Sequence, residues 1–156
     1  MNAFSLNVRI YYEDTDVGGV VYYANYLRYL ERARTEWLRA AGFELDAIQR
    51  DMKAVFVVRR VEADYHRPAL LGNIVSVSCE PMSVGRSKLV IEQRVTRAYT
   101  NATTTDTTVN ADKPDELLLS AVVTLAFIAS DLTKPIAMPA DMRAAMMSNL
   151  QKDETA

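Results

Sequence analysis

Glu13, Asp14 and Asp16 crowd three carboxylates into four positions, immediately ahead of Gly18-Gly19. Glycine takes backbone angles that a side chain forbids, so this pair marks a tight turn. A helical pattern begins just beyond it. The first turn of a helix carries free N–H groups and a partial positive charge, so it can hold an oxyanion. A carboxylate facing a helix mouth therefore supplies two parts of an acyl-transfer site: a base or nucleophile, and a place for developing negative charge. The same acids also have plainer uses, as solvated groups, helix caps or partners of arginine.

The elements that must position these groups are legible from periodicity. Residues 4–13 read as a strand, with Leu6, Val8, Ile10 and Tyr12 on one face. Residues 24–41 read as the one long helix. Tyr23, Tyr26, Leu27, Leu30, Ala33, Trp37 and Ala41 form its apolar stripe, Arg32 and Glu36 stand at i,i+4, and Gly42 follows as a C-terminal cap. Residues 45–50 suit a short helical turn. Residues 55–65 read as a second strand with Val55, Val57, Arg59, Val61 and Ala63 on one face. Further strands are expected over 73–82, 87–99 and 117–129. The polar, threonine- and aspartate-rich segment 100–116 reads as a loop, and 141–150 as a terminal helix. A doubly wound parallel sheet needs a helix between successive strands. One long helix followed by four strands suits an α+β domain instead, an antiparallel sheet whose apolar face the helix covers.

At 156 residues the chain fits one domain, expected over 1–150 with a tail at 151–156. A net charge of −2 gives no footprint for nucleic acid. The single cysteine, Cys79, excludes an internal disulfide or a cysteine zinc site and reads as a small buried side chain. The N-terminal residues show neither a basic start nor an apolar core, and no run approaches the roughly 18 apolar residues of a membrane span. The expected compartment is the cytoplasm.

The stretch from Tyr12 to Tyr22, with Ala24-Asn25-Tyr26 and Glu31 to Glu36, resembles the signature of hotdog-fold acyl-CoA thioesterases. The resemblance is to the 4-hydroxybenzoyl-CoA thioesterase family, and within it to the Tol-Pal-associated group. It is strongest over residues 8–42 and continues, more weakly, to about residue 138. It implies a hotdog fold, a homodimer or homotetramer with sites at subunit interfaces, and an acyl-CoA substrate, with acyl carrier protein as a further partner. It places the family's aspartate on Asp16, as general base or nucleophile. The oxyanion donor would be the backbone N–H of Tyr23, with Gly19 allowing close approach of the thioester and Val20 and Tyr26 beside the substrate. Arg86, Ser87 and Lys88, after Gly85, fall where relatives present groups to coenzyme A. Glu13 and Asp14 take supporting places. A thioester is already activated, so neither metal nor cofactor is required.

One departure stands out: the Tol-Pal-associated group typically has histidine where this chain has Tyr23. A backbone donor survives that change, whereas an imidazole does not. Two further readings follow. One is a non-catalytic hotdog module that binds acyl thioesters or acyl carrier protein. The other is a hotdog dehydratase or hydratase, which would need the only histidine, His66, beside an acid; His66 reads instead as a strand-end residue.

Overall fold

The computed structural model describes residues 4–98 and 115–154. Strand β1 (Phe4–Arg9) leads through a single 3-10 turn at Tyr12–Asp14 to helix α1 (Asn25–Ala40) and the short helix α2 (Leu45–Met52). Strands β2 (Ala54–Tyr65), β3 (Ile74–Val84), β4 (Lys88–Arg97) and β5 (Glu116–Ala129) follow, and helix α3 (Ala140–Glu154) closes the order. All strand pairs are antiparallel, in the order β1-β3-β4-β5-β2. The fold is α+β, as expected from the pattern of elements.

The expected alternation holds on β4. Leu89, Ile91, Gln93 and Val95 are all buried, opposite Val77, Leu119, Val123 and Leu125 on the neighbouring strands. Cys79 is buried on β3, and burial pushes its thiol well above the ordinary range.

Helix α1 buries Tyr26, Tyr29, Leu30, Ala33, Trp37 and Leu38, spaced three or four apart. Each of the large side chains among them contributes about 1.5–3 kcal/mol by leaving water, and Ala33 about a third of that. The sequence stripe was drawn slightly off this face: Tyr23 and Leu27 are exposed, while Tyr29 and Leu38 are buried. Glu36 pairs with Arg39 rather than Arg32, because i,i+3 neighbours lie as close as i,i+4 ones. Gly42, at φ +95°, ends the helix as expected. Its N–H reaches Arg39 O at 3.0 Å and that of Phe43 reaches Leu38 O at 2.9 Å.

Three further differences have physical causes. Strand β1 stops at Arg9 because Asp14 accepts the Tyr11 N–H at 2.8 Å and folds 12–14 into a turn, leaving Tyr12 exposed. In β2 the register slips between Val58 and Arg60. The extra residue inverts the alternation. Phe56 and Val58 before the bulge and Val61, Ala63 and Tyr65 after it therefore share the inner face, opposite Phe127, Leu125, Val123, Ala121 and Leu119. The expected face, Val55-Val57-Arg59, is the outer one. Glu116 belongs to β5 and pairs with Arg97 at 2.6 Å; the rest of the expected loop lies mostly outside the described residues. The helical trace of α3 runs to Glu154, past the start expected for the tail.

Candidate active site

Between the 3-10 turn and α1, the chain folds back on itself as a tight loop. The Asp16 N–H reaches Val20 O at 2.9 Å, the Gly19 N–H reaches Asp16 O at 3.0 Å, and the Tyr22 N–H reaches Asp14 O at 3.0 Å. Asn25 adds a side-chain bond to Asp14 O at 2.8 Å. The loop therefore ties the acidic residues directly to the start of the helix. Asp16 is exposed, and its Oδ1 accepts the Gly18 N–H at 2.9 Å. Its Oδ2 has no partner among the described residues, so one carboxylate oxygen is anchored and the other is free.

Gly19 sits at φ +74° with no atom within 4 Å of where a Cβ would stand. The constraint is backbone conformation, not space. Gly19→Val is expected to cost about 1–2 kcal/mol, because a β-branched residue resists the left-handed region. Gly19→Asn is expected to cost less than half of that, and thermal unfolding of the two variants checks the difference.

The mouth of α1 is open. Its N-cap, Ala24, offers no side-chain cap; the Asn25 and Leu27 N–H groups bond Tyr22 O and Ala24 O, while the Tyr23 N–H, one residue ahead of the cap, has no acceptor among the described residues. Helix N-termini normally satisfy such donors with a Ser, Thr, Asp or Asn. The peptide after Tyr23 is fixed from the other side. Tyr65 donates its hydroxyl to Tyr23 O at 2.9 Å, and its ring meets Tyr23 and Tyr26 edge-on with centroids 6.3 and 5.5 Å away. Tyr26 is buried, and its hydroxyl accepts the Ala69 N–H at 2.9 Å. Ala69 O in turn accepts the Val21 N–H at 2.9 Å, and Val20 bridges Leu70. Arg97 steadies this segment through Pro68 O at 3.1 Å and Asn73 Oδ1 at 2.9 Å, while its guanidinium grips Glu116. The sequence pattern assigns no role to Arg97, and Asn25 and Tyr65 enter it only as residues of the resembling stretches. Alternation sets Tyr65 on the face of Val61 and Ala63, but its bond to Tyr23, 42 positions away, is not legible from spacing.

Arg86, Ser87 and Lys88 occupy the β3–β4 turn, closed by the Gly85 N–H on Lys88 O at 2.8 Å. Arg86 and Lys88 are exposed. Asp16 and Tyr23 lie beside the start of β3, so the length of that strand, roughly 33 Å, separates the two groups within one chain. His66 is at the end of β2, exposed, with its ring 2.9 Å from Ser120 Oγ and not against Asp16 or Glu13.

A cavity of about 420 Å³ runs along α1, below its mouth. Leu27, Glu31, Arg34, Thr35 and Leu38 form its helical wall. Phe56, Val58 and Val61 of β2 face them, with Leu89, Ile91 and Leu125 of the central strands as its floor. The β2 bulge is what brings Val58 and Val61 to this one face. A pocket of this size with mostly apolar walls suits a small organic group.

Comparison with known proteins agrees with these features. A family model described as the thioesterase superfamily matches residues 18–102. An acyl-CoA thioesterase YbgC of Haemophilus influenzae is 37% identical over 145 residues, covering 92% of this chain and 94% of that protein. The acyl-CoA thioesterase YbgC of Helicobacter pylori is 33% identical over 134 residues, covering 86% and 92%. Among solved structures, a probable thioesterase from Bartonella henselae superposes with a TM-score of 0.69 at 31% identity, covering 88% of this chain and all of that one. A 4-hydroxybenzoyl-CoA thioesterase mutant complexed with 4-hydroxybenzoyl-CoA shares the fold, with a TM-score of 0.77 at 20% identity over 92% of this chain and 98% of that one.

Proposed function

This chain belongs to the thioesterase superfamily and is an acyl-CoA thioesterase of hotdog fold, and from that premise we propose that Asp16 drives attack on the thioester while the Tyr23 N–H holds the oxyanion. The observation that carries this reading is the uncapped mouth of α1, with an unpartnered N–H one short loop away from a carboxylate that keeps one oxygen free. A backbone donor aimed at a developing oxyanion stabilises the transition state without needing a particular side chain. Tyr23 therefore keeps the backbone donor although the imidazole is lost, and Tyr65 fixes the peptide that follows it.

The free Oδ2 has two routes. As general base it takes a proton from water, whose oxygen attacks the thioester carbon. The tetrahedral oxyanion rests on the Tyr23 N–H, the C–S bond breaks, and the proton passes to the leaving coenzyme A thiolate. As nucleophile it forms a mixed anhydride, releases the thiolate, and water then hydrolyses the anhydride. Both routes yield free acid and coenzyme A. Gly19, without a side chain, leaves room for the thioester beside Val20, and Tyr26 acts by bracing the loop through Ala69.

Strand β2 is a sheet edge of 12 residues, so its outer backbone groups are open to pairing with a second copy. Such a homodimer, or a tetramer built from it, accounts for the distance between Asp16 and the Arg86–Lys88 turn. In this reading Arg86, Ser87 and Lys88 of a second copy meet the coenzyme A phosphates bound at the first copy's loop. The double variant Arg86→Gln, Lys88→Gln is expected to raise KM about tenfold and leave kcat within about twofold, since two exposed phosphate contacts act on binding alone. Cytoplasmic coenzyme A thioesters are the natural substrate pool, with carrier-protein thioesters presenting the same phosphopantetheine arm. Hydrolysis of short, long and aromatic acyl-CoAs, and of carrier-protein thioesters, tests the reading: turnover of an acyl-CoA is expected, and inactivity across the panel would leave a binding module.

A further inference from the structure

The cavity along α1 is mostly apolar, with Glu31, Arg34 and Thr35 the charged and polar residues of its wall. Arg34 reaches into its wall from the buried side of the helix, and the structure records one hydrogen bond for its guanidinium, to Gln93 Oε1 at 3.0 Å. Gln93 is fully buried, and its amide nitrogen donates to Leu30 O at 3.0 Å and Ser78 O at 3.3 Å. Those two bonds fix the amide orientation and leave its oxygen facing Arg34. No carboxylate lies within ion-pair distance of Arg34 among the described residues; Glu31, one turn nearer the mouth, is exposed to water. Arg34 is half-buried, and of its five N–H donors the described residues accept one. The burial is enough to draw the guanidinium's pKa downward, and it remains a cation.

We propose that Arg34 is a specificity-determining residue of this thioesterase, receiving an oxygen at the far end of the acyl group, a carboxylate or a hydroxyl, once that group fills the cavity. The inference rests on the acyl-CoA thioesterase reading above and adds the acyl class. Geometry supports the assignment. Tyr23, Leu27, Glu31 and Arg34 follow one another at helical spacing, so the cavity begins one turn below the proposed oxyanion donor. Arg34 lies 11 positions past Tyr23, about 16 Å along the axis. Helical side chains lean back toward the N-terminus, which brings the guanidinium to roughly 10 Å from the mouth. With carbon–carbon bonds of about 1.5 Å, an extended acyl chain of about eight carbons spans that gap. Its end then gives the guanidinium a further partner. A plain methyl terminus would leave those donors without one, which is how a polar site rejects an analogue lacking its hydrogen-bonding group.

The test compares octanoyl-CoA, 8-hydroxyoctanoyl-CoA and octanedioyl-CoA on wild type, Arg34→Met and Arg34→Lys. Wild type is expected to favour an oxygen-terminated chain over octanoyl-CoA by at least about tenfold in kcat/KM. Arg34→Met is expected to erase that preference, bringing the kcat/KM ratio of the oxygen-terminated to the plain chain to about one, and Arg34→Lys to restore part of it for the carboxylate. A wild type that favours octanoyl-CoA, or an Arg34→Met variant that lowers all three substrates equally, overturns the proposal. If Arg34→Met does not fold, the wild-type ratio and Arg34→Lys decide it. The arms also separate the two claims: hydrolysis of octanoyl-CoA without preference defeats only this inference, whereas inactivity toward every acyl-CoA defeats the reading beneath it.

Discussion

Asp16→Asn is expected to lower kcat on the best acyl-CoA at least about 100-fold, a loss of roughly 2.7 kcal/mol in transition-state stabilisation. The substitution keeps the size of the side chain and an oxygen that can still accept the Gly18 N–H, the bond that anchors Oδ1 in the native loop. It removes the negative charge and the basicity of the free oxygen. Both routes open to Asp16 need that oxygen charged, so both fail together. The loop itself should persist, because its backbone bonds from Asp16 to Val20 and from Tyr22 to Asp14 do not involve the carboxylate. Stopped assays of thiol release give the ratio directly. Thermal unfolding of the variant within a few degrees of wild type would show that lost chemistry, not lost structure, accounts for it.

Trp37→Ala is expected to destabilise the fold by about 3–5 kcal/mol, the usual cost of truncating a large buried aromatic. Trp37 is 3% exposed on α1 and also borders the cavity. Removing it forfeits both its transfer from water and its packing, and enlarges a space that the helix cannot collapse into while α1 stays pinned at both ends. Tyr65 and Asn25 hold the mouth, and Gly42 with Phe43 closes the last turn. Urea unfolding should show the midpoint falling by roughly 2 M at an unchanged slope, given the 1–3 kcal/mol/M typical of small domains. Such a loss is a large share of the 5–15 kcal/mol that holds a domain of this size.

The sequence made some of this plain. The α1 pattern and its Gly42 cap, and the clean alternation of Leu89, Ile91, Gln93 and Val95, depend on local rules that a helix and a central strand obey. What stayed hidden depends on contacts distant in sequence or on single-residue irregularities. The β2 bulge is one extra residue between Val58 and Arg60, and a run of valines alternates equally well on either face. Missing it put Phe56 and Val58 on the wrong face, and the cavity wall they form with Val61 stayed hidden. Tyr12 looked like another strand position because only the Asp14 cap reveals the turn. Arg32 looked like the partner of Glu36 by spacing, yet Arg39 takes it. The residues proposed for chemistry were readable as types in order: acids, glycines, a helix start. Their arrangement was not. Asp16 and Tyr23 share one loop, while Arg86 and Lys88 lie at the far end of the sheet.

The most direct measurement is calorimetric titration of Asp16→Asn with the acyl-CoA that wild type hydrolyses fastest, with free thiol followed in the same solution. The account predicts that the variant binds about one equivalent per chain and releases almost no coenzyme A over the experiment. Release at a rate near that of wild type, or complete loss of binding, would contradict it. The first outcome would take Asp16 out of the chemistry, and the second would make it a structural residue of the loop.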